Sequence, residues 1–197
     1  RVRGAGFAPT IFHLANTAAV VSRPASWRSM VRPGLALYGY TLPLHRGGDL
    51  EPDTSAHLDL RAVLSWKTLV LSVHEAAAGQ ALGYGGTFVV KAPSRIAVLP
   101  LGYADGLLRR LSNRGRVIVR DHSAPMVGRI SMDLTLVDVT GIPGVGLGDE
   151  VTLIGASENC AVDAWEMARL AETLPYEILC GISKRVPRKA MADSSSS

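Results

Sequence analysis

Between Leu60 and Ile154 the apolar residues of this chain come in short β-branched runs, most of them closed by Gly, Pro or Asp. Residues 62–73 form the longest run, and residues 95–101, 116–119, 134–139 and 150–154 repeat the pattern. Runs of this kind bounded by turn formers read as strands, because β-branched side chains suit a pleated, half-buried surface. The stretch is therefore constrained to a mainly β domain. One helix follows. Residues 162–171 place their apolar side chains at helical spacing, and Asp163 supplies a negative charge at the helix start.

The first forty residues obey a different grammar. Residues 12–15 and 35–38 are short apolar runs near turn signals, and residues 18–30 between them supply a helix interrupted near Pro24. Strand, helix, strand is the grammar of a parallel α/β sheet. A polar Gly-rich link, His45-Arg46-Gly47-Gly48-Asp49, and the polar run to His57 mark a boundary. The expected organisation is an incomplete α/β segment at 1–45, a β-rich domain at 55–190 and a disordered tail at 191–197.

Composition removes several function classes. Hydrophobic residues are 47% and charged residues 19% of the chain, a balance that builds a dry core rather than a disordered protein. No run approaches the ~20 apolar residues of a membrane span. Arg1-Val2-Arg3-Gly4 carries neither a starting Met nor a signal-peptide apolar region, so the chain is expected to be an internal piece of a longer, cytoplasmic protein. Cys160 and Cys180 are then expected to be reduced and mostly buried. The five histidines are scattered and no CxxC pair exists, so no metal site is expected. His13, in an apolar run, reads as a core histidine. Net charge is +4, with basic residues recurring at 109–120 and 184–189. With aromatic content of 6% and no basic–aromatic interleaving, this suits an anionic ligand or a solvated surface better than a nucleic-acid platform.

Two local patterns carry chemistry. In Arg32-Pro33-Gly34-Leu35, backbone N–H groups at a strand start are free to meet a phosphate, and Asn16-Thr17 adds a hydroxyl at the same sheet end. An ordinary turn is the competing reading. Tyr84 stands between Gly83 and Gly85, which would present its phenol from a turn; packing of a strand-end aromatic on the core is the alternative.

Taken in order, His13-Leu14-Ala15-Asn16-Thr17-Ala18-Ala19, Val31-Arg32-Pro33-Gly34 through Tyr38-Gly39, Gly83-Tyr84-Gly85, Gly102-Tyr103-Ala104-Asp105-Gly106, Val127-Gly128-Arg129-Ile130-Ser131-Met132-Asp133, Gly148-Asp149-Glu150-Val151 and Tyr176-Glu177 resemble the alanine racemases. The likeness runs from about residue 10 to about residue 188. It implies the last β/α units of a (β/α)8 barrel followed by a C-terminal β domain, in a family that uses pyridoxal phosphate (PLP) to interconvert L- and D-alanine for peptidoglycan. The first half of such an enzyme, with its Schiff-base lysine, lies outside this sequence.

The resemblance assigns roles. Tyr84 matches the tyrosine that acts as one of two bases, and a phenol serves near neutral pH only in a polarised environment. Arg32 matches the arginine that hydrogen-bonds the pyridine nitrogen, where a fixed cation disfavours ring protonation. Thr17, Gly34, Leu35 and Tyr176 match phosphate ligands, with Thr17 replacing the usual Ser. Met132 matches the residue whose backbone N–H meets the substrate carboxylate, here preceded by Ser131 instead of the frequent Cys. Tyr103, Arg109, Arg129 and Leu174 match the lining of the substrate-access channel, and Asp105 and Asp133 read as turn holders. The family's geometry further implies a homodimer with a shared site, in which Tyr84 and Met132 serve the partner's PLP. The missing barrel half is expected in the same chain or as a separate one. A broad-specificity amino-acid racemase, a serine racemase of the same family and a non-catalytic β-barrel binding module are the alternatives.

Overall fold

The computed structural model describes residues 3–42 and 58–191, and the chain divides into two compact units, residues 1–64 and 65–197. The expected link at 45–57 and the end of the tail from 192 lie outside the described residues.

In the first unit, β1 (His13–Asn16) and β2 (Met30–Arg32) pair in parallel, with Asn16 opposite Arg32. A parallel pair needs a crossover. Here it is α1 (Thr17–Ser22) and a 3₁₀ turn, Pro24–Ser26. Asn16 starts the helix by accepting the Ala19 N–H on its side chain at 3.1 Å. Pro24 stops it, so the expected 18–30 helix contracts to six residues at 17–22. Residues 35–38 are not a strand. They belong to a 3₁₀ turn, Gly34–Tyr38, entered from Pro33 and closed by left-handed Gly39. Arg32-Pro33-Gly34 thus lies at the C-terminal end of β2, not at a strand start. His13 is exposed rather than a core residue, because the buried position of β1 is Ala15. Residues 58–64 bond to this unit rather than to the strands that follow, with the Val63 N–H reaching the Tyr38 carbonyl at 3.4 Å.

The second unit is a curled antiparallel sheet. The expected strand at 62–73 is two strands, β3 (Trp66–Leu69) and β4 (Ser72–Ala76), and the break has a cause. β3 pairs with one end of the sheet and β4 with the other. At the junction the Val70 N–H bonds Asp149 O, whereas the Leu71 N–H bonds Val98 O. A small hairpin, β5 (Ala81–Leu82) and β6 (Phe88–Val89), precedes β7 (Ser94–Leu99). Then come β8 (Arg116–Val119), β9 (His122–Val127), β10 (Thr135–Asp138), β11 (Glu150–Ala156) and the short β12 (Ala161–Val162). The ladder runs β4–β7–β10–β9–β8–β11, and β11 pairs with β3, which runs on into β4, so the sheet closes through this one continuous stretch of chain. Closure leaves few free edges and encloses Ala97, Leu99, Val117, Val119, Val137, Val151 and Leu153, all fully buried.

Two helices follow, α2 (Ala164–Leu170) and α3 (Pro175–Gly181). Asp163 does cap α2, accepting the Glu166 N–H at 2.7 Å. A forked Arg116–Glu166 pair, 2.6 and 2.7 Å, ties α2 to β8. Such bidentate pairs fix geometry as well as charge. The thiols are not mostly buried: Cys180 is exposed and Cys160 half-buried.

Candidate active site

The site in the second unit is organised by the strip that leaves β9, residues 128–133. The Gly128 N–H donates to Asn113 Oδ1 at 2.5 Å and the Ile130 N–H to Ser112 Oγ at 3.0 Å. Ser131 and Leu134 close a small turn through the Ser131 hydroxyl, which donates to Leu134 O and accepts its N–H. At Met132 the carbonyl accepts the Ala104 N–H at 3.0 Å, while the Met132 N–H finds no acceptor among the described residues. The peptide unit that bears this N–H is pinned at its other end, where the Ser131 carbonyl accepts the Tyr103 N–H.

Tyr84 sits on the tip of the β5–β6 hairpin. Gly83 and Gly85 both have positive φ, 71° and 72°, which a phenol-bearing turn this tight requires. A Cβ on Gly83 would lie 2.8 Å from the Arg129 backbone nitrogen, so the tip is pressed directly on the strip. The Arg129 guanidinium comes within 3.3 Å of the point a Gly85 Cβ would occupy. Asn113 holds both parts, because its Nδ2 also donates to Thr87 Oγ1 at 3.3 Å. Tyr84 itself is 72% exposed and its hydroxyl has no partner among the described residues.

Tyr103 opens a 3₁₀ turn, Tyr103–Asp105, docked on the other side of the strip. Its N–H bonds Ser131 O at 3.0 Å, and Gly102 N–H is capped by Asp105 Oδ2 at 2.9 Å. Arg109 begins the next 3₁₀ turn. Its carbonyl accepts the same Ser112 hydroxyl that receives the Ile130 N–H. The Arg109 and Arg129 side chains have no anionic partner among the described residues, in contrast to Arg110 and Arg114, which share Glu172. Arg114 beside Glu172 holds that carboxyl below its ordinary range. Leu174 caps α3 and is exposed; Tyr176, in the first turn of α3, is half-buried.

In the first unit Thr17, Arg32, Gly34 and Leu35 gather at the C-terminal ends of the two parallel strands. Thr17 Oγ1 accepts the Ala36 N–H at 3.4 Å, which fixes the start of the Gly34–Tyr38 turn beside α1. The N–H groups of Gly34 and Leu35 and the exposed Arg32 guanidinium have no acceptor among the described residues. Asn113 and Ser112 were not found from the sequence. Their contribution is long-range hydrogen bonding, which no local sequence pattern announces; Asn113 takes a left-handed φ of 59°, a conformation asparagine tolerates. Among the described residues there is no group of three metal-ligating side chains, and no helix is long and apolar enough to cross a membrane.

Residues 63–190 match the family model described as alanine racemase, C-terminal domain, and residues 1–42 the one described as alanine racemase, N-terminal domain. Alanine racemase 2 of Caldanaerobacter subterraneus subsp. tengcongensis is 42% identical over 95% of this chain and 46% of its own length. The alanine racemase of Halothermothrix orenii is 45% identical over 91% and 45%. The chain spans about half the length of the curated relatives it matches. Among solved structures, alanine racemase from Bacillus anthracis with bound L-Ala-P superposes with a TM-score of 0.83 at 33% identity, covering 98% of this chain and 47% of that one. Alanine racemase from Bartonella henselae with covalently bound pyridoxal phosphate gives 0.76 at 33% identity, covering 94% and 48%. The chain belongs to the alanine racemase family.

Proposed function

We propose that the chain is the carboxy-terminal half of a cytoplasmic PLP-dependent alanine racemase that supplies D-alanine for peptidoglycan. The observation that carries this is the pairing, on one strip, of an open Met132 N–H with the glycine-flanked Tyr84 tip. One group binds a carboxylate and the other exchanges a proton, and racemising an amino acid calls for both.

PLP suits the first unit. Among the described residues the Gly34 and Leu35 N–H groups, at the start of a helical turn, have no acceptor, the Thr17 hydroxyl beside them donates to none, and Arg32 is a fixed cation with no anionic partner. The two N–H groups and the hydroxyl would hold a phosphate, and Arg32 would face the pyridine nitrogen; Tyr176 is proposed as a further phosphate ligand on the family resemblance alone. When bound, PLP draws electrons from the substrate's α-carbon and so acidifies its C–H bond. The Met132 N–H donates to the alanine carboxylate and fixes which face of the α-carbon meets Tyr84. Tyr84 accepts the α-proton on that face and returns one in the reverse direction. Arg109 and Arg129 draw the carboxylate inward; Tyr103 and Leu174 line the same approach.

Further parts of the barrel would cover the first unit, whose Phe7, Ile11, Leu14 and Leu37 are 58–68% exposed. A homodimer in which Tyr84 and Met132 act on the partner's alanine completes the reading. The test is co-expression of this chain with the N-terminal half of the Halothermothrix orenii enzyme. The assembled protein should racemise alanine in a PLP-dependent manner and this chain alone should not. Turnover by the chain alone, or none from a folded assembly, contradicts the proposal.

A further inference from the structure

The strip that carries Met132 is also held by Arg185, to which the roles above assign no task. Arg185, beyond α3, reaches back to it: Nη2 lies 2.7 Å from Asp133 Oδ1, next to Met132, and Nε lies 3.3 Å from Asp105 Oδ1. Asp105 is 8% exposed, and its other oxygen accepts the Gly102 N–H. The Asp105 carbonyl accepts the Ser183 N–H at 3.0 Å, and the Ser183 hydroxyl receives the Arg185 N–H at 3.2 Å.

We propose that Arg185, by bridging Asp105 and Asp133, is a positioning residue that sets the direction of the Met132 N–H for carboxylate binding. The proposal rests on the reading of Met132 given above. The peptide unit that bears the Met132 N–H is gripped at its Ser131 carbonyl by the Tyr103 N–H, the next unit is gripped at the Met132 carbonyl by the Ala104 N–H, and the turn bearing both donors is held by Asp105. Asp133, which follows Met132, is gripped from the other direction by Arg185. A planar guanidinium with forked donors meets two carboxylates at once, which an ammonium does less well. With the two aspartates bridged, the Ser131–Met132 and Met132–Asp133 peptide units lose their freedom to rotate. The Met132 N–H is thereby held with no acceptor among the described residues to satisfy it.

The test compares Arg185→Met, Arg185→Lys and Asp133→Asn in the intact chain by amide exchange and ¹H–¹⁵N spectra. In Arg185→Met the Ala104 and Tyr103 amides should exchange at least tenfold faster and the Met132 resonance should move. Core amides such as Ala97 and Val117 should stay within twofold, and Arg185→Lys should recover part of the protection. Exchange at Ala104 within twofold of the parent overturns the positioning itself. In the co-expressed racemase, Arg185→Met should raise KM for alanine about tenfold and leave kcat within about twofold. A fall in kcat at unchanged KM overturns the carboxylate role. Absence of racemisation in the parent assembly overturns the racemase reading and that role with it, and the exchange result still decides whether Arg185 positions the strip.

Discussion

A single methyl at Gly102 tests whether the Tyr103 turn and the Met132 strip are one rigid piece. In Gly102→Ala the new carbon would sit 2.2 Å from Ser131 O and 2.5 Å from Met132 C and O. All three are backbone atoms and cannot swing aside as a flexible side chain would. Reaching an ordinary 3.4 Å contact needs 3.4 − 2.2 = 1.2 Å of separation. That movement breaks the two 3.0 Å bonds from Tyr103 N–H and Ala104 N–H to the strip. Overpacking costs about 1–3 kcal/mol and each lost hydrogen bond about 1, so the sum is roughly 3–5 kcal/mol. At a urea sensitivity of about 2 kcal/mol per molar, the unfolding midpoint falls by roughly 1.5–2.5 M. Buried Trp66, 4% exposed on β3, reports the transition by fluorescence. The control is Gly141→Ala, which meets nothing within 4 Å and should stay within about 0.5 kcal/mol of the parent. A Gly102→Ala midpoint within about 0.3 M of that control refutes the reasoning.

Other perturbations read other joints. Asn113→Ala leaves the buried Gly128 N–H unsatisfied and frees the Tyr84 hairpin, at about 2 kcal/mol, with faster amide exchange across residues 83–87 as the check. Glu166→Ala strands the Arg116 guanidinium between β8 and α2 and should cost about 2 kcal/mol in thermal unfolding. The Asp149 carboxyl is held below its ordinary range by Arg120, and then by the Gly146 N–H. Its stabilisation is therefore present above the unfolded carboxylate value near pH 4 and is lost as pH falls through the lower folded value. In consequence the stability gap between the parent and Asp149→Asn should be constant at neutral pH and shrink below about pH 4.

The strands of the second unit were legible where β-branched runs met Gly, Pro or Asp: residues 95–101, 116–119, 134–139 and 150–154 all yield strands within two residues of the expected limits. β9 was not legible, because Pro125 interrupts it and a proline cannot donate to a ladder. The structure tolerates it because β10 reaches only Met126 and Val127, so Pro125 has a neighbour on one side alone. The change of partner at Val70–Leu71 is equally invisible locally, since it is fixed by Asp149 and Val98 far along the chain. Residues 35–38 show the limit of short apolar runs, which suit a strand or a helical turn until their neighbours decide. α3 did carry a signal, Pro175 at its first position after Leu174, where proline's missing N–H costs nothing. At the site, glycine-flanked Tyr84 was legible and the structure does present it from a turn. Asn113, Ser112 and Arg185 were not, because nothing in their local pattern encodes a partner fifteen to eighty residues away.

The central claim is that Tyr84 exchanges the α-proton on one face of alanine. The direct measurement is solvent-deuterium incorporation into each alanine enantiomer by the co-expressed racemase carrying Tyr84→Phe. The account predicts PLP and alanine binding within about threefold of the parent. Incorporation starting from one enantiomer should fall by about 10²–10⁴, as loss of a general base requires, while exchange at the opposite face persists. Equal loss at both faces, or loss that follows PLP binding, contradicts it.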